Sequence, residues 1–226
     1  MTLTEFFKEN KKAAIAFSGG VDSAYLLCAA LKSGADVRAY YAKSAFQPQF
    51  ELDDARRLAE ALSADMRVLP LDVLADEAVA ANPADRCYHC KRRIFSAIAA
   101  AAAADGYTLL LDGTNASDDA GDRPGMRALR ELSVRSPLRE CGLTKPEIRR
   151  LSREAGLFTW DKPAYACLAT RVPTGERLTL EKLENTERAE DFLFSLGFTD
   201  FRVRLSNGAA RLQFPENQLP RLLERR

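Results

Sequence analysis

An apolar run, Ala13-Ala14-Ile15-Ala16-Phe17, stops at Ser18-Gly19-Gly20-Val21-Asp22-Ser23, and a helical pattern, Ala24-Tyr25-Leu26-Leu27-Cys28-Ala29-Ala30, begins. A strand that passes into a helix through two glycines leaves the first-turn amides of that helix pointing at the turn. The positive end of the helix dipole lies behind them, so the junction is an anion site. The glycines let the backbone come close to a bulky oxyanion such as pyrophosphate. Asp22 adds a carboxylate able to contact magnesium, and Ser23 adds a capping hydroxyl. No lysine follows the second glycine, so this is not the G-x-x-x-x-G-K-S/T phosphate loop. A turn that binds nothing would need neither Asp22 nor the second serine.

The rest of the first half repeats the alternation. Strands are expected at 13–17, 37–42, 66–71 and 108–112, with helices at 22–33, 49–62 and 91–104 between them. This spacing predicts an α/β fold, a parallel sheet with helices on both faces. Ligands in such sheets collect beyond the carboxyl ends of the strands, where Ser18-Gly19-Gly20 falls. Thr144-Lys145-Pro146-Glu147 reads as a capping box opening a helix to about Ala155. From Arg177 the character changes. An amphipathic helix over 179–196, a strand over 201–205, an Asn207-Gly208 hairpin turn and a return over 209–214 predict a small α+β appendage. The boundary is expected near 172–178, giving domains of 1–172 and 173–226. Arg202 and Arg204 share a parity on their strand and should face one way.

With 33 basic and 32 acidic residues the net charge is +1, which predicts no general attraction to nucleic acid or to a membrane surface. No segment is apolar for long enough to cross a bilayer, and the stretch Met1 to Lys12 lacks the apolar core of an export signal. A cytoplasmic location is expected. The basic tail Arg221-Leu-Leu-Glu-Arg-Arg226 reads as a solvated helix end. Five cysteines, an odd count, argue against a disulfide framework and for metal or catalytic chemistry. Cys87-Tyr88-His89-Cys90 opens a helix, and Cys167 lies far along the chain. A C-x-x-C alone is shared by zinc sites, redox pairs and iron–sulfur ligands. His89, between the two thiols, would strain to join them on one tetrahedral zinc, whereas three thiolates suit a 4Fe–4S cluster with one open iron. Cys28, on the apolar face of the first long helix, and Cys141, in a turn, read as structural.

The hexapeptide is of the SGGxDS type. With Cys87-Tyr-His-Cys-Lys91, Asp112-Gly-Thr-Asn-Ala-Ser-Asp-Asp119, Gly121-Asp-Arg-Pro-Gly125, Leu143-Thr-Lys-Pro-Glu147, Trp160-Asp-Lys-Pro163, Ala166-Cys-Leu-Ala-Thr-Arg171, Arg202-Val-Arg204 and Ala210-Arg-Leu-Gln213, it resembles the LarE family over nearly the full length. These are ATP-dependent sulfur transferases of the PP-loop ATP pyrophosphatase superfamily that help to build the nickel-pincer nucleotide of lactate racemase. The resemblance implies that a carboxylate of pyridinium-3,5-biscarboxylic acid mononucleotide is adenylated and converted to a thiocarboxylate, with release of AMP and pyrophosphate.

The same resemblance implies site residues. ATP and Mg²⁺ would be held by Ser18, Gly19, Gly20, Val21, Asp22, Ser23 and Gly113. Catalysis would fall to Cys167, Asp22 and Ser23, and the anionic nucleotide to Asp119, Arg123, Thr170, Arg171, Glu190, Arg202 and Arg204. Members with one cysteine sacrifice its sulfur. Members that also carry the C-x-x-C hold a 4Fe–4S cluster, which assigns Cys87, Cys90 and Cys167 as its ligands and a small molecule as sulfide source. Gln213 stands where the family has an acidic residue, and Thr170 replaces a serine while keeping the hydroxyl. The exposed hairpin and terminal helix suggest homo-oligomer contacts. Competing readings are a PP-loop tRNA thiolase, an NAD- or GMP-synthetase-like amidotransferase, which shares the ATP loop but has no need for three cysteines, and a non-enzymatic zinc- or iron-binding module.

Overall fold

Short strands of small and β-branched residues pair in parallel, and their two faces bury different side chains. The computed structural model describes residues 1–118 and 124–224, so Asp119 and Arg123 lie outside the described residues. Strands β1 (Lys12–Ala16), β2 (Asp36–Lys43), β3 (Met66–Pro70) and β4 (Leu110–Leu111) form one sheet in the order β3-β2-β1-β4. All three pairings are parallel. Ala13, Ile15, Val37, Ala39, Tyr41 and Leu111 point into one core with Phe6, Leu26, Leu27, Leu58 and Ile148. Ala14, Tyr40 and Leu110 point into a second core with Phe95, Ile98 and Leu129. A sheet buried on both faces explains why β1 reads as a continuous apolar run. Strand β4 is shorter than the expected 108–112. At its end the backbone bridges to Arg135, whose N–H donates to Leu110 O at 3.0 Å and whose carbonyl accepts from Asp112 N at 2.9 Å.

The helices of this unit are α1 (Leu3–Glu9), α2 (Val21–Lys32), α3 (Gln49–Ala61), then, after a short α4 (Glu77–Ala80) that belongs elsewhere, α5 (Arg86–Ala104), α6 (Pro124–Glu131), α7 (Pro137–Glu140) and α8 (Lys145–Glu154). Helix α1 was not legible, because Met1 to Lys12 is polar outside Leu3, Phe6 and Phe7. Those three side chains are nonetheless buried. A capping box holds its start, with Thr2 N donating to Glu5 at 2.7 Å and Glu5 N to Thr2 at 3.2 Å. Helix α5 begins at Arg86, ahead of the expected 91, so both thiols of the C-x-x-C lie on the helix itself.

The chain divides into two compact units: Met1–Ser44, Gln49–Leu71 and Asp85–Lys162 in the first, and Ala45–Pro48, Asp72–Ala84 and Pro163–Arg226 in the second. The division after Lys162 comes earlier than the expected 172–178, for a local reason. Segments of the first half are bonded into the second unit. The Asn82 amide donates to Pro173 O at 2.8 Å and Glu176 O at 3.1 Å, and Leu168 N donates to Phe46 O at 3.0 Å. The second unit also holds a 3-10 turn (Leu168–Arg171), α9 (Leu180–Ser195), the antiparallel hairpin β5 (Arg202–Ser206) and β6 (Ala209–Gln213), and α10 (Leu219–Leu223). Asn207 and Gly208 both take positive φ, 50° and 76°, as the hairpin signal requires. Leu193, Phe198, Phe201 and Val203 make its small core. Arg221 is exposed on the terminal helix, as a solvated helix end should be, and its guanidinium is also used. It donates to Gly197 O at 3.1 Å and to Leu196 O, satisfying carbonyls at the end of α9.

Candidate active site

The first unit builds its site at the carboxyl end of β1. Gly19 takes φ +72°, and a Cβ there would come within 3.0 Å of the Ala55 Cβ on α3, so both backbone and space demand glycine. Gly20 is the N-cap of α2 and gives no side-chain cap, which leaves the first-turn amides to a ligand. Ser18 and Ser23 fix the loop between them. Ser18 N donates to Ser23 Oγ at 3.2 Å, and Ser23 Oγ donates to Gly20 O at 3.2 Å. Ser23 is therefore buried and engaged within the loop. Gly113, at the end of β4, would place a Cβ 2.9 Å from Ser23 N, so it is the close-packed wall against the start of α2.

Asp22 lies on the first turn of α2. Lys145 Nζ donates to its Oδ2 at 2.6 Å, while Oδ1 is buried with no hydrogen-bond partner among the described residues. Burial pushes the Asp22 carboxyl above its ordinary range, against the downward pull of Lys145. Lys145 is held in place by its own backbone. It is the first residue of α8, its N–H donates to Ser117 Oγ at 2.9 Å, and Ala116 N donates to Leu143 O at 2.8 Å. The loop after β4 is pinned in turn. Ser136 Oγ donates to Asp112 at 2.6 Å, and Asn115 N donates to Asp118 at 2.8 Å.

Sequence reasoning missed two cations here. Lys145 read only as a capping-box position, and Lys162 only as part of a motif. Lys162 Nζ stands 2.9 Å from both Glu51 and Asp54 on α3, close along that helix to the Ala55 that packs on Gly19. Burial raises the Glu51 carboxyl, and Lys162 opposes it. Arg149 holds the turn carrying Lys162, donating to Trp160 O at 2.6 Å and Lys162 O at 2.9 Å. A long-range pair leaves no period or spacing in the chain, so nothing local could have revealed either lysine.

On α5, Cys87 and Cys90 are three residues apart and so share a helix side, Cys87 exposed and Cys90 half-buried. His89 turns to Asp85, 3.4 Å away. The Arg86 guanidinium reaches Cys87 Sγ at 3.8 Å. Cys28 is buried, and burial raises its thiol, as suits a packing residue. Among the described residues no three His, Cys, Asp or Glu side chains stand gathered as a ready metal site. The donors themselves, thiols outside any disulfide and at least partly accessible, have the chemistry of iron–sulfur ligands.

The second unit gathers the remaining expected site residues. Cys167 is a half-buried thiol at the head of the 3-10 turn, and its carbonyl accepts from Thr170 Oγ1 at 2.8 Å. Arg171 and Glu190, expected as separate substrate contacts, are bound to each other. Arg171 is 1% exposed, Nε donates to Glu190 at 2.7 Å and Nη2 at 3.3 Å, and Nη1 donates to Thr170 Oγ1 at 2.9 Å. Glu190 also accepts from Val203 N at 2.9 Å and from the Tyr165 hydroxyl. Burial, then that bond, pushes the Tyr165 phenol far above its ordinary range.

Arg202 and Arg204 share a face, as their parity predicts, with Val203 buried behind them. Their partners are mostly neutral. Arg202 donates to Ala164 O and Phe201 O, both at 2.7 Å, and to the exposed Asp200 at 3.3 Å. Arg204 donates to Thr170 O at 2.6 Å and to the Gln213 amide oxygen at 2.6 Å. Gln213 thus holds the Arg204 guanidinium without cancelling its charge.

No family model matches the chain. An uncharacterised protein of Synechocystis is 38% identical over 98% of this chain and 83% of its own length. The pyridinium-3,5-bisthiocarboxylic acid mononucleotide synthase of Lactiplantibacillus plantarum is 37% identical over 96% of this chain and 80% of its own length. The chain belongs to the LarE family. An uncharacterised Methanocaldococcus jannaschii protein, 31% identical over 89% of the chain, is a more distant relative of this LarE-family enzyme. Among solved structures, the NMN synthetase of Francisella tularensis has the same fold, with TM-score 0.57 and 18% identity over 85% of this chain and 83% of that one. The parallel sheet with its glycine loop at the end of β1 is therefore the PP-loop fold, and the chain is a sulfur transferase of the LarE kind. No helix among the described residues is long and apolar enough to cross a membrane.

Proposed function

We propose that this LarE-family enzyme adenylates a carboxylate of pyridinium-3,5-biscarboxylic acid mononucleotide with ATP and replaces the adenylate by sulfur, leaving a thiocarboxylate. The observation that carries the reading is Asp22. It is a carboxylate on the first turn of α2 with one oxygen on Lys145 and the other buried without a described partner. An orphaned carboxylate oxygen beside uncapped helix amides fits a magnesium ion carrying a triphosphate. The glycine at 19, where a Cβ would strike Ala55, fits a backbone cradle.

In this reading a substrate carboxylate oxygen attacks the α-phosphorus of ATP, and the bond to the bridging oxygen breaks, releasing pyrophosphate. The loop amides from Gly20 to Ser23 stabilise the charge that develops on the leaving group, and Asp22 would hold the Mg²⁺ that offsets the same charge. A sulfide nucleophile then attacks the acyl carbon, AMP departs with the bonding pair, and a proton is released from the sulfide. Arg204, held by neutral oxygens, and Arg202, held by two carbonyls and by the exposed Asp200, suit the carboxylates and phosphate of the nucleotide. Arg171 serves differently: locked on Glu190, it holds the turn that carries Cys167 and Thr170.

Cys87, Cys90 and Cys167 would hold a 4Fe–4S cluster, which when bound supplies a seat for the sulfur to be transferred. A small-molecule sulfide source, a cytoplasmic location and a homo-oligomeric state complete the proposal. The test separates the two half-reactions. Cys167→Ala should release pyrophosphate on mixing with ATP and the nucleotide, yet form no thiocarboxylate. Loss of pyrophosphate release, or retention of sulfur transfer, would overturn the role given to this thiol.

A further inference from the structure

Resting on the magnesium–ATP reading of the loop, we infer that Lys145 is a positioning residue that occupies the cation seat of Asp22 before magnesium arrives. It then transfers its charge to the departing pyrophosphate. The contact is a direct one, Nζ to Oδ2 at 2.6 Å, and it takes up one of the two oxygens a divalent ion would use. The other oxygen is buried without a described partner, so the lysine leaves the carboxylate half satisfied. A divalent ion is the better match for a carboxylate under-satisfied in this way. A divalent ion on the orphaned oxygen would stand within a few ångströms of the ammonium on the other, and the repulsion between the two cations sets them in competition for the one carboxylate.

The two ends of Lys145 differ in freedom. Its backbone is fixed at the first position of α8, through Ser117 and the capping contact of Thr144 N to Glu147 at 2.9 Å. Its side chain is 32% exposed and Asp22 is 23% exposed, so the pair is not locked in the core. A four-carbon stem on a fixed base can swing a point charge over the same helix start. Once magnesium takes the carboxylate, the triphosphate supplies the displaced ammonium with a new counter-charge. The opposite case lies in the same unit. Lys162 is held by two carboxylates at 2.9 Å each and is only 15% exposed, so it is built to stay.

The test is Mn²⁺ binding, read by electron paramagnetic resonance on the whole protein, with and without α,β-methylene-ATP. Lys145→Met without nucleotide should bind Mn²⁺ about five-fold tighter than wild type, the effect of removing one half-exposed competing ion pair. With nucleotide present that advantage should vanish, and nucleotide affinity should fall. Lys145→Arg, which keeps the charge, should bind Mn²⁺ as wild type does. Unchanged or weaker Mn²⁺ binding by Lys145→Met, or Lys145→Arg behaving like Lys145→Met, would overturn the inference. The underlying reading fails separately, if Asp22→Asn binds Mn²⁺ with nucleotide as well as wild type does.

Discussion

Asp22→Ala should lower pyrophosphate release by about 10²–10³-fold or more, the scale seen when a group aimed at transition-state charge is removed. The protein should stay folded. The pair with Lys145 is partly exposed, and such a pair contributes only about 0–1 kcal/mol. Alanine keeps the helix, and the loss of a first-turn carboxylate from the dipole costs only about 0.3–1 kcal/mol. The substitution therefore removes the proposed magnesium contact and leaves a cation beside the loop. Pyrophosphate release measured alongside a thermal melt checks both halves. A variant that melts like wild type and still turns over would remove the loop from the chemistry.

The largest stability effect should come from the second unit. Glu190→Ala strands Arg171, which is 1% exposed, and deprives Val203 N and the Tyr165 hydroxyl of their acceptor. Breaking a buried pair from one side costs about 3–5 kcal/mol, because an uncompensated charge is left in low dielectric. Denaturant unfolding followed by circular dichroism should show that loss. Arg171→Met combined with Glu190→Leu should cost less than the sum of the single changes, since no charge is then orphaned. A loss for Glu190→Ala below about 1 kcal/mol would mean that the pair is solvated, unlike the buried case. The buried Arg171 and Glu190 account for how the Cys167 turn keeps its shape within a small core.

What the chain disclosed and what it hid follow one physical rule. Local signals were readable: the glycine junction at 18–23, the apolar run of β1, the capping box at Thr144, and the Asn207-Gly208 turn with its two positive φ values. Each is a constraint that a few adjacent residues meet alone. Parity placed Arg202 and Arg204 on one face, because a strand fixes side-chain direction by counting. Contacts made across long separations were not readable. Lys145 to Asp22 spans 123 positions, and Asn82 to Pro173 spans 91. The first supplies a charged partner at the loop, and the second moves the unit boundary. Arg171 and Glu190 were both singled out. That they neutralise each other became evident only once α9 was folded against the 3-10 turn.

The central claim is that one polypeptide activates a carboxylate with ATP and replaces its oxygen by sulfur without consuming itself. The most direct measurement incubates anaerobically purified protein with ATP and pyridinium-3,5-biscarboxylic acid mononucleotide, then weighs nucleotide and polypeptide by mass spectrometry. The account predicts a thiolated nucleotide, stoichiometric AMP and pyrophosphate, and an unchanged chain mass. A nucleotide that gains no sulfur, or a chain that loses the mass of hydrogen sulfide at Cys167, would contradict it.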